Sequence, residues 1–239
     1  MQPLKHYPQP ERPSDPTPLE MAIYNYELKA KAFYDKKARL GDAKEADVTK
    51  RLNQDYKHLE QERNRLEYIT VIQEALEKYR ENSEAIGKET KGLGLLEEEH
   101  HPTKKLASFL TASGEPKPSI KHEAHHIIPG KGRFRKPAIA RARLRLHVNG
   151  IGINDPMNGV WLYGVEKGKQ EFDWATSAAT SHRRIHRYNY ETWIATTLGG
   201  RLDRVRFINR LQKVKFKIKN GMMPEKVMMK KDESWDGLS

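Results

Sequence analysis

"EAHHIIPG", Glu123 to Gly130, sets two histidines side by side ahead of an apolar pair and a Pro-Gly turn. The run reads as a short strand followed by turn chemistry. Successive strand side chains point to opposite faces, so His125 and His126 cannot both enter the same core. At least one of them is expected to meet solvent, a metal or a substrate.

Downstream, "SHRRIH" spaces His182 and His186 i, i+4, which puts both imidazoles on one face of a helix and suits chelation of a single ion. The surrounding run "ATSHRRIHRYNYETWIATTL" has the length and spacing of one helix ending at Gly199-Gly200. Between the two histidine blocks, "KGRFRKPAIARARLRLHVNG" holds an arginine-rich helical stretch. "IGINDPMNGVWLYG" turns at Asp155-Pro156 and then runs apolar from Val160 to Tyr163, as a loop entering a strand or a helical turn. Beyond it, "RLDRVRFINRLQKVKFKIKNG" reads either as a basic helix or, at its alternating "KVKFKIK" end, as an exposed strand.

Upstream the pattern is different. Residues 1–17 hold five prolines and form a flexible lead-in. "TPLE" then opens a helix, with Thr17 as N-cap, Pro18 in the first position and Glu20 closing a capping box. That helix should stop near Gly41, and a second should run from about Asp42 to Ser83 or beyond, with Leu52, Leu59 and Leu66 at heptad spacing. Residues 18–91 thus predict a helical hairpin or coiled-coil-like region for delivery or docking, and residues 92–119 a linker with at most one short helix. His100 and His101 fall in that linker and are read as exposed polar residues. His122 and His147 are read as structural or surface histidines, and Trp161, Tyr188, Tyr190 and Trp193 as packing residues.

With no cysteine, the chain has no disulfide, no cysteine-based zinc ribbon and no thiol nucleophile, so any metal needs nitrogen and oxygen ligands. No apolar run approaches the ~18 residues of a membrane span, and the first residues lack a secretory hydrophobic stretch, which predicts a soluble chain made in the cytoplasm. The net charge of +12 is uneven: residues 1–100 carry 17 basic and 20 acidic side chains, residues 101–239 carry 27 and 12. The basic half is the half with the paired histidines, which suits a polyanion such as nucleic acid.

Taken in order, "AHHIIP", "NDPMNGVWL" and "SHRRIH" resemble the AHH group of the HNH nuclease superfamily, small ββα-metal enzymes that include toxin domains of bacterial competition systems. The resemblance covers about residues 120–198 and leaves the helical N-terminal region outside it. It implies an α+β fold, with a ββα-metal nuclease domain over 120–239 following the N-terminal helices. It also implies that His125 is the first metal ligand and His126 the general base. Asn158 would hold the base imidazole, and His182 and His186 would complete the metal triad. The chain departs from the pattern in the 32 positions, rich in basic residues, from His126 to Asn158, longer than in colicin-type members, and in Leu162-Tyr163 where Leu-Pro is usual. Asn149 and Asn154 therefore compete with Asn158 for the central place.

The strand alternation suits this chemistry, because one imidazole can face an ion while its neighbour faces an attacking water. Glu123 could orient a metal-bound histidine. Lys131, Arg133, Arg135, Arg183 and Arg184 flank the histidine blocks and could grip phosphates, with Arg141, Arg143, Arg145 and Arg187 as further cations nearby. The resemblance implies one divalent ion (zinc, magnesium, manganese or nickel) and a nucleic-acid substrate, DNA before RNA. It further implies an antibacterial effector made in the bacterial cytoplasm without a cleavable signal, delivered by a contact-dependent or type VI secretion apparatus or adaptor into a target cell's cytoplasm. An acidic immunity protein would neutralise it. Competing readings are a non-catalytic nucleic-acid-binding module with a structural ion, and a helical adaptor with a basic tail. A nuclease would be expected to keep its activity in a chain starting near residue 115.

Overall fold

The computed structural model describes residues 9–40, 46–167 and 178–238. The expected helix end at Gly41 and helix start at Asp42 lie outside those residues, as do the first eight positions of the lead-in. The chain divides into two compact units, residues 1–73 and 74–239.

In the first unit, α1 (Pro18–Leu40) opens on the expected capping box: Thr17 N donates to Glu20 Oε2 (2.7 Å) and Glu20 N to Thr17 Oγ1 (3.2 Å). α2 (Ala46–Glu89) begins in this unit and ends in the second. The helices run antiparallel, tied by the ion pairs Lys29–Glu62 (2.6 Å) and Lys36–Asp55 (2.8 Å) around Phe33, whose ring lies 6.0 Å from that of Tyr56. Leu59 is the buried member of the heptad series, and Leu52 and Leu66 are half-buried.

The second unit is built on an antiparallel hairpin of β1 (His122–His126) and β2 (Gly159–Tyr163), with His122 opposite Tyr163 and His126 opposite Gly159. Both faces of the hairpin are covered. Ala124 and Trp161 meet Leu106 and Leu110 of α3 (Lys104–Ala112), whereas Val160 and Leu162 enter the main core with Ile127, Ile139 and Ile194. The period-2 alternation therefore sends neighbouring side chains of each strand into different packing layers. Around the hairpin lie α4 (Lys136–Val148), α5 (His182–Ile185), α6 (Tyr188–Leu198) and α7 (Arg204–Lys219). The α+β class holds: a small sheet among helices, preceded by the N-terminal helical pair.

Where sequence left the basic C-terminal element open, the structure has a helix. Phe207, Leu211, Val214 and Ile218 form one buried stripe of α7, and Asp203 caps it by accepting from Arg206 N (2.9 Å). Two expectations need correction. Residues 92–119 hold a packed helix, because Leu106 and Leu110 of α3 recur at i, i+4 and cover one hairpin face while Phe109 is buried beside the Tyr79 ring; the charges and prolines around them hide this. The run from Ser181 to Leu198 is two helices, broken at His186 and Arg187. The start of α6 is fixed independently of α5. The Asn189 amide donates to Lys226 O (2.6 Å) and Lys230 O (3.0 Å), and the Glu191 carboxylate accepts the backbone amides of Arg133, Phe134 and Arg135.

Candidate active site

The hairpin presents His125 toward α5 and α6, and there it meets His182 and His186. Ring centroids are 5.1 Å from His125 to each of the others and 4.9 Å between His182 and His186. Each imidazole offers a nitrogen, and these three atoms lie within 4.8 Å of one another. The break after α5 leaves His186 as the residue ending that short helix, yet its ring still sits beside His182.

The hydrogen bonds around this trio determine which nitrogens are free. Tyr190 Oη donates its only hydrogen to Ile127 O (2.8 Å) and lies 3.0 Å from His125 Nε2, so Nε2 must carry the hydrogen and donate to the phenol. His125 Nδ1 is then a bare lone pair, buried and without a partner. Such an orphan is costly unless something electrophilic completes it. His182 Nδ1 donates to Glu123 Oε2 (2.5 Å), so Nε2 is the nitrogen that this ring can offer to an ion. Burial, reinforced by the neighbouring imidazoles, lowers the pKa of His125 well below the usual histidine value and that of His186 to about 4, so both are neutral, as metal ligands must be. The residues present therefore fit a divalent ion held by three nitrogens, with Glu123 and Tyr190 orienting two of them.

One residue on, His126 points to the opposite face of the strand. Its Nε2 lies 3.1 Å from Asn154 Oδ1, and its ring centroid lies 6.1 Å and 6.3 Å from those of His100 and His101. Burial pulls its pKa down to about 4, opposed by the Asn154 bond and reinforced by His100 and His101. A cavity of about 250 Å³ joins the two faces at the strand end, lined by His100, His101, His125, His126, His182 and His186, with Lys131 and Arg133 on its rim.

Of the three asparagines, Asn154 is the one against His126. The Asn158 side chain accepts from Ile128 N (2.8 Å) and donates to Ile128 O (3.2 Å) and Ile153 O (3.0 Å), latching the turn after β1 to the start of β2. The backbone of Ile128 lies past the end of the strand ladder, and Asn158 supplies the partners that β2 no longer does. Asn149 bonds Arg145 O (2.7 Å) at the end of α4.

The basic residues separate by what they already bind. Lys131, Arg133, Arg183 and Arg184 are exposed, Arg184 lying 3.6 Å from Glu166. Arg135 is half-buried, donating to Thr192 Oγ1 (3.1 Å) with its guanidinium over the Tyr188 ring. Arg143 is buried and donates to Gly130 O, Leu95 O, Glu98 O and His147 Nε2, so it serves the fold. Sequence reasoning missed His100 and His101 as cavity residues, Tyr190 as the partner of His125, and Glu98. These contacts are long-range, and only the His-His-Pro run at 100–102 stood out locally.

Residues 106–220 match AHH, described as a nuclease family of the HNH/ENDO VII superfamily with conserved AHH. Over that span the chain is similar to the AHH nuclease family. The matched span of this AHH region begins within α3 and ends just past α7, so it contains both histidine blocks and the hairpin between α3 and α6. Nucleases of this superfamily use a metal ion, and the histidine trio of the AHH region is a place for one. No curated protein and no solved structure matches the chain. Among the described residues, no helix is long and apolar enough to cross a membrane.

Proposed function

We propose that the chain is a metal-dependent endonuclease that hydrolyses phosphodiester bonds, with DNA the favoured substrate. His125, His182 and His186 hold the ion, and His126 is the general base. The observation that carries this reading is the buried, unpartnered Nδ1 of His125 within the trio, one residue from an imidazole that faces the same cavity from the other side of the strand. Three imidazole ligands favour zinc or nickel over manganese or magnesium. The bound ion would supply Lewis-acid stabilisation of charge growing on the phosphate and the leaving oxygen. His126 takes a proton from water at Nδ1, the nitrogen that Asn154 does not engage. Lys131, Arg133, Arg135, Arg183 and Arg184 are proposed to contact phosphates flanking the cleaved bond. Asn158 acts by holding the turn that follows the two histidines.

On the same reading the protein is an antibacterial effector, delivered by a secretion apparatus or adaptor that docks on the N-terminal helices and neutralised by an acidic immunity protein. Support for this comes from the family resemblance and from the basic C-terminal half. The test of the activity is plasmid cleavage by wild type and His126→Ala, in EDTA and then with zinc, nickel, manganese or magnesium. Metal-dependent nicking that disappears in the folded variant is expected. Cleavage that persists in His126→Ala would remove the base from the mechanism, and DNA binding without cleavage under any metal would overturn the nuclease reading.

A further inference from the structure

Asn154 offers His126 its oxygen because both amide hydrogens are taken elsewhere. Asn154 Nδ2 donates to Glu98 Oε1 (2.9 Å) and to Glu99 O (2.9 Å). Reversing the amide would set Oδ1 against a carboxylate and a carbonyl, three acceptors with no hydrogen between them. With the amide so fixed, His126 can bond it only as the tautomer that carries hydrogen on Nε2, and Nδ1 is left bare.

Glu98 is itself held. Tyr79 Oη donates to its carboxylate (2.8 Å to Oε1, 3.0 Å to Oε2), Ile153 N donates to Oε2 (3.2 Å), and Lys105 Nζ lies 3.6 Å away. Tyr79 Oη also accepts from Asn154 N (3.0 Å), gripping that residue at its backbone as Glu98 grips its side chain. Burial and the Glu98 charge push the phenol pKa up, so Tyr79 remains a donor. One residue along α2, Arg80 Nε bonds Asp155 Oδ2 (2.8 Å), which anchors the same loop again. Tyr79 and Glu98 both precede the residues that match the AHH family.

We propose that Glu98 and Tyr79 are positioning residues that act through Asn154 to fix the tautomer of His126, so that the end of α2 and the segment before α3 complete the site. The catalytic consequence rests on the nuclease reading above; the tautomer does not.

The test uses the full chain as wild type, Glu98→Ala, Glu98→Gln and Tyr79→Phe. Long-range nitrogen–proton spectra of the imidazoles report the His126 tautomer without metal or substrate, the His126 signals being assigned by their loss in His126→Ala. Plasmid nicking gives kcat and KM separately. Wild type should show only the Nε2–H form. Glu98→Ala should mix the two tautomers and lower kcat about 10- to 100-fold, the usual range for losing an outer partner of a site residue, with KM and zinc affinity unchanged. Glu98→Gln retains an acceptor for Asn154 and should restore most of both readouts. If Glu98→Ala does not fold, Tyr79→Phe carries the test, since it keeps the ring that packs 5.2 Å from Phe109 and removes only the hydroxyl. A His126 protonated on Nδ1 in wild type, or a folded variant with tautomer and kcat both unchanged, overturns the proposal. A wild type that cuts nothing, but whose tautomer shifts in Glu98→Ala, supports the positioning and sinks the nuclease reading alone.

Discussion

Tyr190→Phe separates a ligand-orienting hydroxyl from a core-filling ring. The ring is fully buried and lies 6.1 Å from Trp193, and phenylalanine keeps that packing. What disappears is one oxygen that accepts from His125 Nε2 and donates to Ile127 O. Two buried polar groups are left without partners, at about 1–3 kcal/mol each, so the metal-free protein should lose roughly 2–4 kcal/mol after partial relaxation. The loss in binding is separate: with nothing to hold hydrogen on Nε2, the neutral ring can place it on Nδ1, the nitrogen facing His182 and His186. Zinc affinity should fall about 10- to 100-fold, or roughly 1.4–2.7 kcal/mol, with stoichiometry unchanged. Urea denaturation of the metal-free protein gives the first quantity, and calorimetric zinc titration against a competing chelator gives the second. A variant that loses the expected stability yet binds zinc as tightly as wild type would refute the reasoning, because the hydroxyl would then be an ordinary core hydrogen bond.

Acid should weaken the fold through His147, which is fully buried, donates from Nδ1 to Ile151 O (2.9 Å) and accepts from Arg143 at Nε2 (3.0 Å). Burial lowers its pKa to about 4, so it stays neutral when folded while the unfolded chain takes up a proton near pH 6.5. Its contribution is complete above pH 6.5 and is lost as the pH falls toward 4, with a slope approaching ~1.4 kcal/mol per pH unit. His147→Gln should be less stable at pH 7.5 but show a flatter decline in urea midpoints; an unchanged slope would exclude His147 as the cause. Arg183→Ala should weaken DNA binding and reduce the salt slope by about one unit while leaving the melting temperature alone, and Arg143→Ala should do the reverse and destabilise the fold. Filter binding across a salt series and thermal melts check both. A chain of residues 74–239 should fold, whereas one starting at residue 115 should aggregate. The shorter chain lacks Leu106 and Leu110, each fully buried against the hairpin and worth ~1.5–3 kcal/mol, a large part of a typical stability. Circular dichroism and size exclusion of the two truncations decide this, and they test the sequence-based expectation that activity survives without α3.

What could be read from sequence was local. Helix α1 was legible because its capping box lies within four residues, and the opposed directions of His125 and His126 because strand alternation needs only neighbours. The i, i+4 spacing of His182 and His186 brought the right pair together for partly the wrong reason. The helix ends at His186, and the rings stay adjacent only because a single turn already places them there. The central asparagine was ambiguous because Asn149, Asn154 and Asn158 differ in tertiary partners, and no spacing distinguishes an amide that caps a helix from one that latches a turn or meets an imidazole.

The same distinction explains why the surroundings of His126 could not be found by motif. Its orientation depends on an amide whose direction is set by Glu98, and Glu98 on Tyr79, 75 positions before the Asn154 it also grips. Each link is an ordinary polar residue in an ordinary sequence context, and only their convergence gives them a shared role. A histidine motif can therefore specify which imidazoles meet without specifying which nitrogen of each is free. In this protein the free nitrogens are set by Tyr190 for His125, by Glu123 for His182 and by the chain from Tyr79 through Asn154 for His126. Substitutions at these five supporting positions should therefore change how the histidines react more than where they sit.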